Sequence, residues 1–353
     1  MTASASVRSL PAEWAPQSGV MLTWPHSQSD WHANLAAVEQ VYLQLARVIC
    51  QHEKLLVVCY DTSHQQHIQD LLQPHVDLTQ VVIAVHASND SWARDHGPIT
   101  VLEQHQPRLL DFQFNGWGDK YAHDLDNQIT SGLHNEGVFG STPLDTINII
   151  LEGGSIDSDG EGRLLTTRAC LCHPSRNPGM SATDIENKLQ QLLGVERILW
   201  LEHGWLAGDD TDSHIDMLAR FCDARTIAYT ACDDAEDEHY AKLSAMHAEL
   251  SAMTQRNGEA YELVALPIPH AIFNQEGERL PASYANFLII NAVVLVPQYG
   301  DPADTIALQR LTACFPGREV IGINCRAVIE QFGSLHCLTM QLPAGSLQPG
   351  AKT

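Results

Sequence analysis

The sequence predicts an α/β fold, and three observations carry that expectation. Short apolar runs, mostly rich in β-branched residues, recur along the chain as buried strands require. Stretches of helical periodicity lie between them, and such alternation marks the α/β class. Polar clusters also recur beside the strand-like runs, near positions 95, 152, 214, 286 and 337, spaced 51 to 72 residues apart. Recurrence on that scale suggests repeated units, each bringing a loop to one common face.

The strand-like runs are residues 19–24, 54–60, 81–85, 147–151, 197–201, 287–296 and 320–323. Residues 34–51 place Leu35, Val38, Val41, Tyr42, Leu45 and Val48 on one helical face. A second helix, 183–193, would open with a capping box of Thr183 and Glu186. Residues 236–255 read as a third. No low-complexity linker divides the chain, and residues 348–353 read as a frayed tail.

Of the 353 residues, 44% are hydrophobic and 18% charged, which fits a compact core and not a disordered chain. The net charge is −23, so nucleic acid is a poor partner and a cationic small molecule a better one. Acidity that merely keeps the chain soluble explains the same number. Nine cysteines without a Cys-x-x-Cys pair argue against a disulfide framework and for a reducing compartment. The N-terminal stretch carries no apolar run of a signal peptide, and no run of about 18 apolar residues could span a membrane. The expected location is cytoplasmic, with no membrane partner.

Four clusters carry candidate chemistry. Ser-Trp-Ala-Arg-Asp-His-Gly-Pro at 91–98 sets Trp92, Arg94, Asp95 and His96 together. Alone it also reads as an Arg94–Asp95 ion pair in a surface loop. Leu-Glu-Gly-Gly at 151–154 puts Glu152 at a strand end before two glycines, and a hairpin turn is the alternative. In Asp-Asp-Thr-Asp-Ser-His-Ile-Asp at 209–216, His214 and Asp216 would face the same side of a strand. A histidine beside a carboxylate suits proton transfer, although structural and metal roles stay open. Finally, Cys337 follows a Gly-Ser turn and precedes an alternating strand; most cysteines in such a place are buried and inert. Cys-Leu-Cys-His at 170–173 hints at metal, but zinc sites use wider cysteine pairs and a second half-site.

Taken together and in order, Trp-Ala-Arg-Asp-His-Gly-Pro (92–98), Phe-Asn-Gly-Trp-Gly (114–118), Leu-Glu-Gly-Gly (151–154), Asp-Ser-His-Ile-Asp (212–216), Tyr-Ala-Asn-Phe (284–287) and His-Cys-Leu-Thr (336–339) make the chain resemble the agmatine deiminases. These are a branch of the bacterial-type peptidylarginine deiminase family. The resemblance implies a five-bladed pentein α/β propeller of ββαβ modules with pseudo-fivefold symmetry. It implies a single catalytic domain over 1–353, with a core at about 10–343 and a tail at 344–353. It places the nucleophile on Cys337, the catalytic histidine on His214, the guanidinium-binding carboxylates on Asp95 and Asp216, and the histidine-orienting or substrate-contacting glutamate on Glu152. Trp92 would line the pocket, and Asp210 would meet the distal amine. The implied reaction hydrolyses agmatine to N-carbamoylputrescine and ammonia through a Cys thiouronium, without metal or organic cofactor. A homo-oligomer such as a dimer is compatible with it.

Relatives often carry Gly where Ser213 stands, Asn where Met217 stands, and Gly-Gly-Gly-Asn-Ile where this chain reads Gln-Phe-Gly-Ser-Leu before His336. These departures spare the reacting side chains and bear on the pocket rim. The runners-up on the same scaffold are a peptidylarginine or free-arginine deiminase and an amidinotransferase. A non-catalytic binding protein of this fold would lack the nucleophile and the carboxylate pair.

Overall fold

The computed structural model describes residues 8–347, which form five sheets. Each sheet contains the same unit. An antiparallel pair comes first, and its second strand then pairs in parallel with a third strand across a helical connection. In one sheet Ala219–Phe221 runs antiparallel to Thr226–Ala231, and the helix Tyr240–Ala252 leads to the parallel strand Glu262–Pro267. The same pattern joins Ile156–Ser158, Arg163–Thr167 and Arg197–Leu201, and again Leu288–Ile289, Val293–Gln298 and Glu319–Asn324. It also joins Ile99–Glu103, Gln106–Gln113 and Leu144–Ile150, where Arg8–Ser9 adds an edge. The last sheet draws on both ends of the chain. Thr339–Pro343 lies antiparallel to Gln17–Thr23, which continues in parallel into Lys54–Cys59 and Val81–Val85.

Parallel pairing buries both faces of the central strands, so Leu55–Cys59 and Val293–Val296 are fully buried. The helix Leu35–His52 covers one such face with Val38, Val41, Tyr42, Leu45 and Ile49. No helix among the described residues is long and apolar enough to cross a membrane.

Several elements depart from expectation. The apolar run 287–296 is two strands, Leu288–Ile289 and Val293–Gln298, turned about Asn291. A run buried on both faces shows no alternation, so the turn leaves one polar residue as its only mark. The helix expected at 183 is Ala182–Leu193, and its capping box is Ser181 with Asp184. The helix caps two residues earlier than expected, and its buried face is Ile185, Leu189 and Leu193. The third helix is shorter, at Tyr240–Ala252. His214 and Asp216 do not lie on a strand. His214 precedes a 3₁₀ turn, Ile215–Met217, that leads into Ala219–Phe221. Residues 344–347, assigned to a tail, pack instead: Ala344 N donates to Pro16 O at 2.9 Å, and Leu347 is buried. Residues 348–353 lie outside the described residues.

Each recurring polar cluster occupies the same place in its unit, just ahead of the first antiparallel strand. Residues 93–96, 153–155, 215–217, 284–287 and 335–338 precede strands that start at 99, 156, 219, 288 and 339.

Candidate active site

These five segments bring the chemistry together. Asp95 lies on the one-turn helix Ala93–His96, inside the protein and not in a surface loop. Its Oδ1 accepts Gly154 N at 2.9 Å and its Oδ2 accepts Trp117 Nε1 at 3.0 Å. Arg94 does not pair with Asp95; it turns away to Glu13 at 3.2 Å and to Gln341. Asp216 Oδ2 faces His336 Nδ1 at 2.8 Å and Cys337 Sγ at 3.4 Å. Its Oδ1 is buried without a hydrogen-bond partner among the described residues. Leaving a carboxylate oxygen unpaired is costly, so this atom is an acceptor waiting for a donor.

Cys337 and the two carboxylates open onto a cavity, about 490 Å³ of empty space together with the open solvent at its mouth, lined also by Trp92, Trp117, Tyr121, Asp30, Asp90, Asp209 and Asp210. Trp92 is fixed there by donating Nε1 to Asp90 Oδ2 at 3.0 Å. Asp210 accepts the Tyr121 hydroxyl at 2.9 Å. The neighbouring acids are less free than their sequence suggests. Asp209 bonds its own loop at Thr211 and Ser213, and Asp212 is paired with Lys120 at 2.9 Å and with Arg176.

His214 is 1% exposed, and its Nδ1 lies 3.7 Å from Asp95 Oδ1. Glu152 does not line the cavity. It is pinned by Arg176 Nε at 2.7 Å, beside His214 and Cys170. Gly154 makes the convergence possible. A Cβ there would come within 2.6 Å of His214 Nδ1, 2.9 Å of Asp95 Oδ1 and 3.1 Å of Asp216 Oδ2. Gly333 plays the same part at the rim, where a Cβ would strike the Trp92 ring at 2.1 Å.

The electrostatics divide the groups into distinct roles. Burial pushes Asp95 up to about 6 against the pull of His214, and the charges of Asp216 and Glu152 add to the rise. Asp216 is equally buried, yet the bond and charge of His336, with His214 and Arg220, hold it below the usual carboxylate value. Burial also works against a charged His214, but Asp95, Cys170 and Glu152 overcome it and raise its pKa well above 6.5. Burial, then Asp216 and Asp95, push the Cys337 thiol well above 9. Ahead of substrate the site therefore holds a neutral thiol, a protonated histidine and an ionised Asp216.

Sequence reasoning assigned no role to four residues that build this site. Asn286 Nδ2 reaches Cys337 Sγ at 3.2 Å, Trp117 braces Asp95, and His336 bridges Asp216 to Glu13 Oε1 at 2.8 Å on each side. Asn286, Trp117 and His336 stood inside motifs already singled out. Glu13 had no signal, because its partners Arg94, Arg220, His336 and Gln341 are far away in the chain.

The chain is similar to known proteins over nearly its whole length. It is 38% identical to the C. jejuni agmatine deiminase, solved as a cysteine-to-serine variant with substrate bound, with a TM-score of 0.89 and coverage of 97% of this chain and 98% of that one. It is 49% identical to a structure assigned provisionally to an arginine deiminase of Porphyromonas gingivalis, with a TM-score of 0.92 and coverage of 97% and 100%. The agmatine deiminase of Medicago truncatula is 31% identical over 365 residues, 95% of this chain and 96% of that protein. Residues 9–343 match the family model of the Porphyromonas-type peptidyl-arginine deiminases, and a match over nearly the whole chain means that it belongs to that family.

Proposed function

We propose that this chain hydrolyses the guanidinium group of agmatine, releasing ammonia and N-carbamoylputrescine, with Cys337 as the nucleophile. One observation carries the choice of substrate. The cavity that holds Cys337, Asp95 and Asp216 is lined by four further acids, Asp30, Asp90, Asp209 and Asp210, and by no lysine or arginine among the described residues. Such a lining suits a dication and offers nothing to the carboxylate of free arginine. Asp210, braced by Tyr121, faces the distal amine.

The guanidinium donates to Asp95 and to the unpartnered Oδ1 of Asp216, a planar fork that fixes its central carbon near Sγ. Burial and the two carboxylates keep the thiol neutral; the positive charge of the substrate offsets the carboxylates, so its binding favours the thiolate, and the thiol proton leaves to solvent. Asn286 Nδ2 stabilises that thiolate by donating to it. Sulfur attacks the carbon, His214 passes its proton to the departing nitrogen, and ammonia leaves. A thiouronium remains on Cys337. His214, now neutral, takes a proton from water, which attacks and regenerates the thiol. Glu152, locked by Arg176, helps by its charge to keep His214 protonated and does not meet the substrate.

The fold supports a single-domain, five-bladed propeller of ββαβ units with pseudo-fivefold symmetry. The same unit occurs five times, and each unit delivers one segment of the site.

A panel of agmatine, arginine, a methylated arginine and an arginyl peptide, scored by ammonia release without an acceptor amine, tests this reading. Agmatine should be the preferred substrate. Release only from arginine or peptides would overturn the substrate, and turnover that requires an added amine would mark an amidinotransferase.

A further inference from the structure

The Cys-Leu-Cys-His segment at 170–173 does not act as a unit. Cys172 lies beside Arg168, and His173 bonds Ser175 at 2.6 Å. Cys170 points the other way. Thr167 Oγ1 caps its short helix, Arg168–Leu171, which turns the thiol inward against Glu152 and His214. One ligand atom from each of Glu152, Cys170 and His214 lies within 4.8 Å of the other two, and all three residues are buried. Glu152 Oε2 and both ring nitrogens of His214 have no hydrogen-bond partner among the described residues. In the hydrolytic steps Cys170 helps to hold the proton on His214 but bonds to no reacting atom.

A thiolate, an imidazole and a carboxylate are the donors a zinc ion selects, with a fourth position left for water. We propose that Glu152, Cys170 and His214 form an inhibitory site for Zn²⁺, which silences the hydrolase by occupying its histidine. The exchange balances. Zn²⁺ forms bonds to sulfur, nitrogen and oxygen, while the Cys170 thiol proton and the proton of protonated His214 leave to solvent. Two charges enter and two depart, so the buried surroundings, which include Asp95 beside His214 and Arg176 on Glu152, keep their net charge. The metal competes for the one group that must donate to the leaving nitrogen, and Cys337 stays free. The inhibition rests on the reading of His214 as proton donor; the binding does not.

Co²⁺ titration of the metal-free protein, followed by absorption, separates the two. One equivalent should produce a thiolate-to-cobalt charge-transfer band that Zn²⁺ abolishes. The band should persist in Cys337→Ala and vanish in both Cys170→Ser and Cys170→Ala, with circular dichroism confirming that each variant is folded. Zn²⁺ should inhibit ammonia release, and Cys170→Ser should weaken that inhibition by more than about 100-fold, beyond what loss of a residue that only supports a ligand costs. A band that survives in the Cys170 variants, a band lost in Cys337→Ala, or no band at one equivalent would each overturn the site. A protein with the expected spectrum but no turnover of any guanidine would overturn the hydrolase and leave the metal site standing.

Discussion

At the scale of single residues, the nucleophile and its partners differ in how far the sequence reveals them. Cys337, His214, Asp95 and Asp216 sit in short motifs, so their chemistry can be read locally. What cannot be read is their charge state, which depends on burial and on residues far away in the chain: His336 holds Asp216 ionised, and burial, then Asp216 and Asp95, hold Cys337 neutral. The thiol pKa lies above 9, so without substrate the reactive thiolate is scarce at neutral pH and accumulates as pH rises. Alkylation of Cys337 by iodoacetamide should therefore be slow at pH 7 and keep accelerating beyond pH 9; a plateau near neutrality would mean a preformed thiolate. His214 has the opposite consequence. Its raised pKa keeps the donor protonated at pH 7, and that proton is lost as pH rises, so kcat should fall on the alkaline side. Asp216→Asn removes one arm of the fork, and kcat/KM for agmatine should drop by at least about 100-fold, more than one ordinary hydrogen bond is worth.

At the scale of elements, periodicity located most strands and helices but not the turns that matter. The recurring clusters were visible as polar interruptions, yet the local conformation of two was not. Glu152 precedes a 3₁₀ turn, Gly153–Ser155, and not a hairpin, and His214 precedes another. Both turns are set by packing around Gly154, whose missing side chain leaves room for three charged groups, and no local propensity encodes that. Gly154→Ala should cut kcat at least about 100-fold, the loss that a 1 Å misplacement can cause, while far-UV circular dichroism stays unchanged. Where local chemistry does decide, the effect should be modest and separate from activity. Ser181→Ala removes the cap of Ala182–Leu193 and should cost about 1 kcal/mol in urea denaturation without altering KM.

At the scale of the whole molecule, repetition was legible and closure was not. Five clusters at similar spacing pointed to repeated units, and one unit indeed recurs in every sheet. The sheet that joins both chain ends, and the ionic centre beneath the site, arise from contacts hundreds of residues apart. Arg220 ties three regions together: it pairs with Glu13, meets Asp157 Oδ2 at 3.1 Å, and donates to Phe287 O at 3.0 Å. Arg220 and Asp157 are buried, so Arg220→Leu takes the cation away from the Asp157 carboxylate and should lower stability by about 3–5 kcal/mol, seen as a shift in the urea midpoint.

That centre supports Cys337, and the covalent step there can be observed directly. Mixing the protein with agmatine, quenching in acid within the first turnover and mapping the digest by mass spectrometry should place agmatine less ammonia on the peptide that contains Cys337. Ammonia released while Cys337 stays unmodified, or an adduct on another cysteine, would contradict the mechanism.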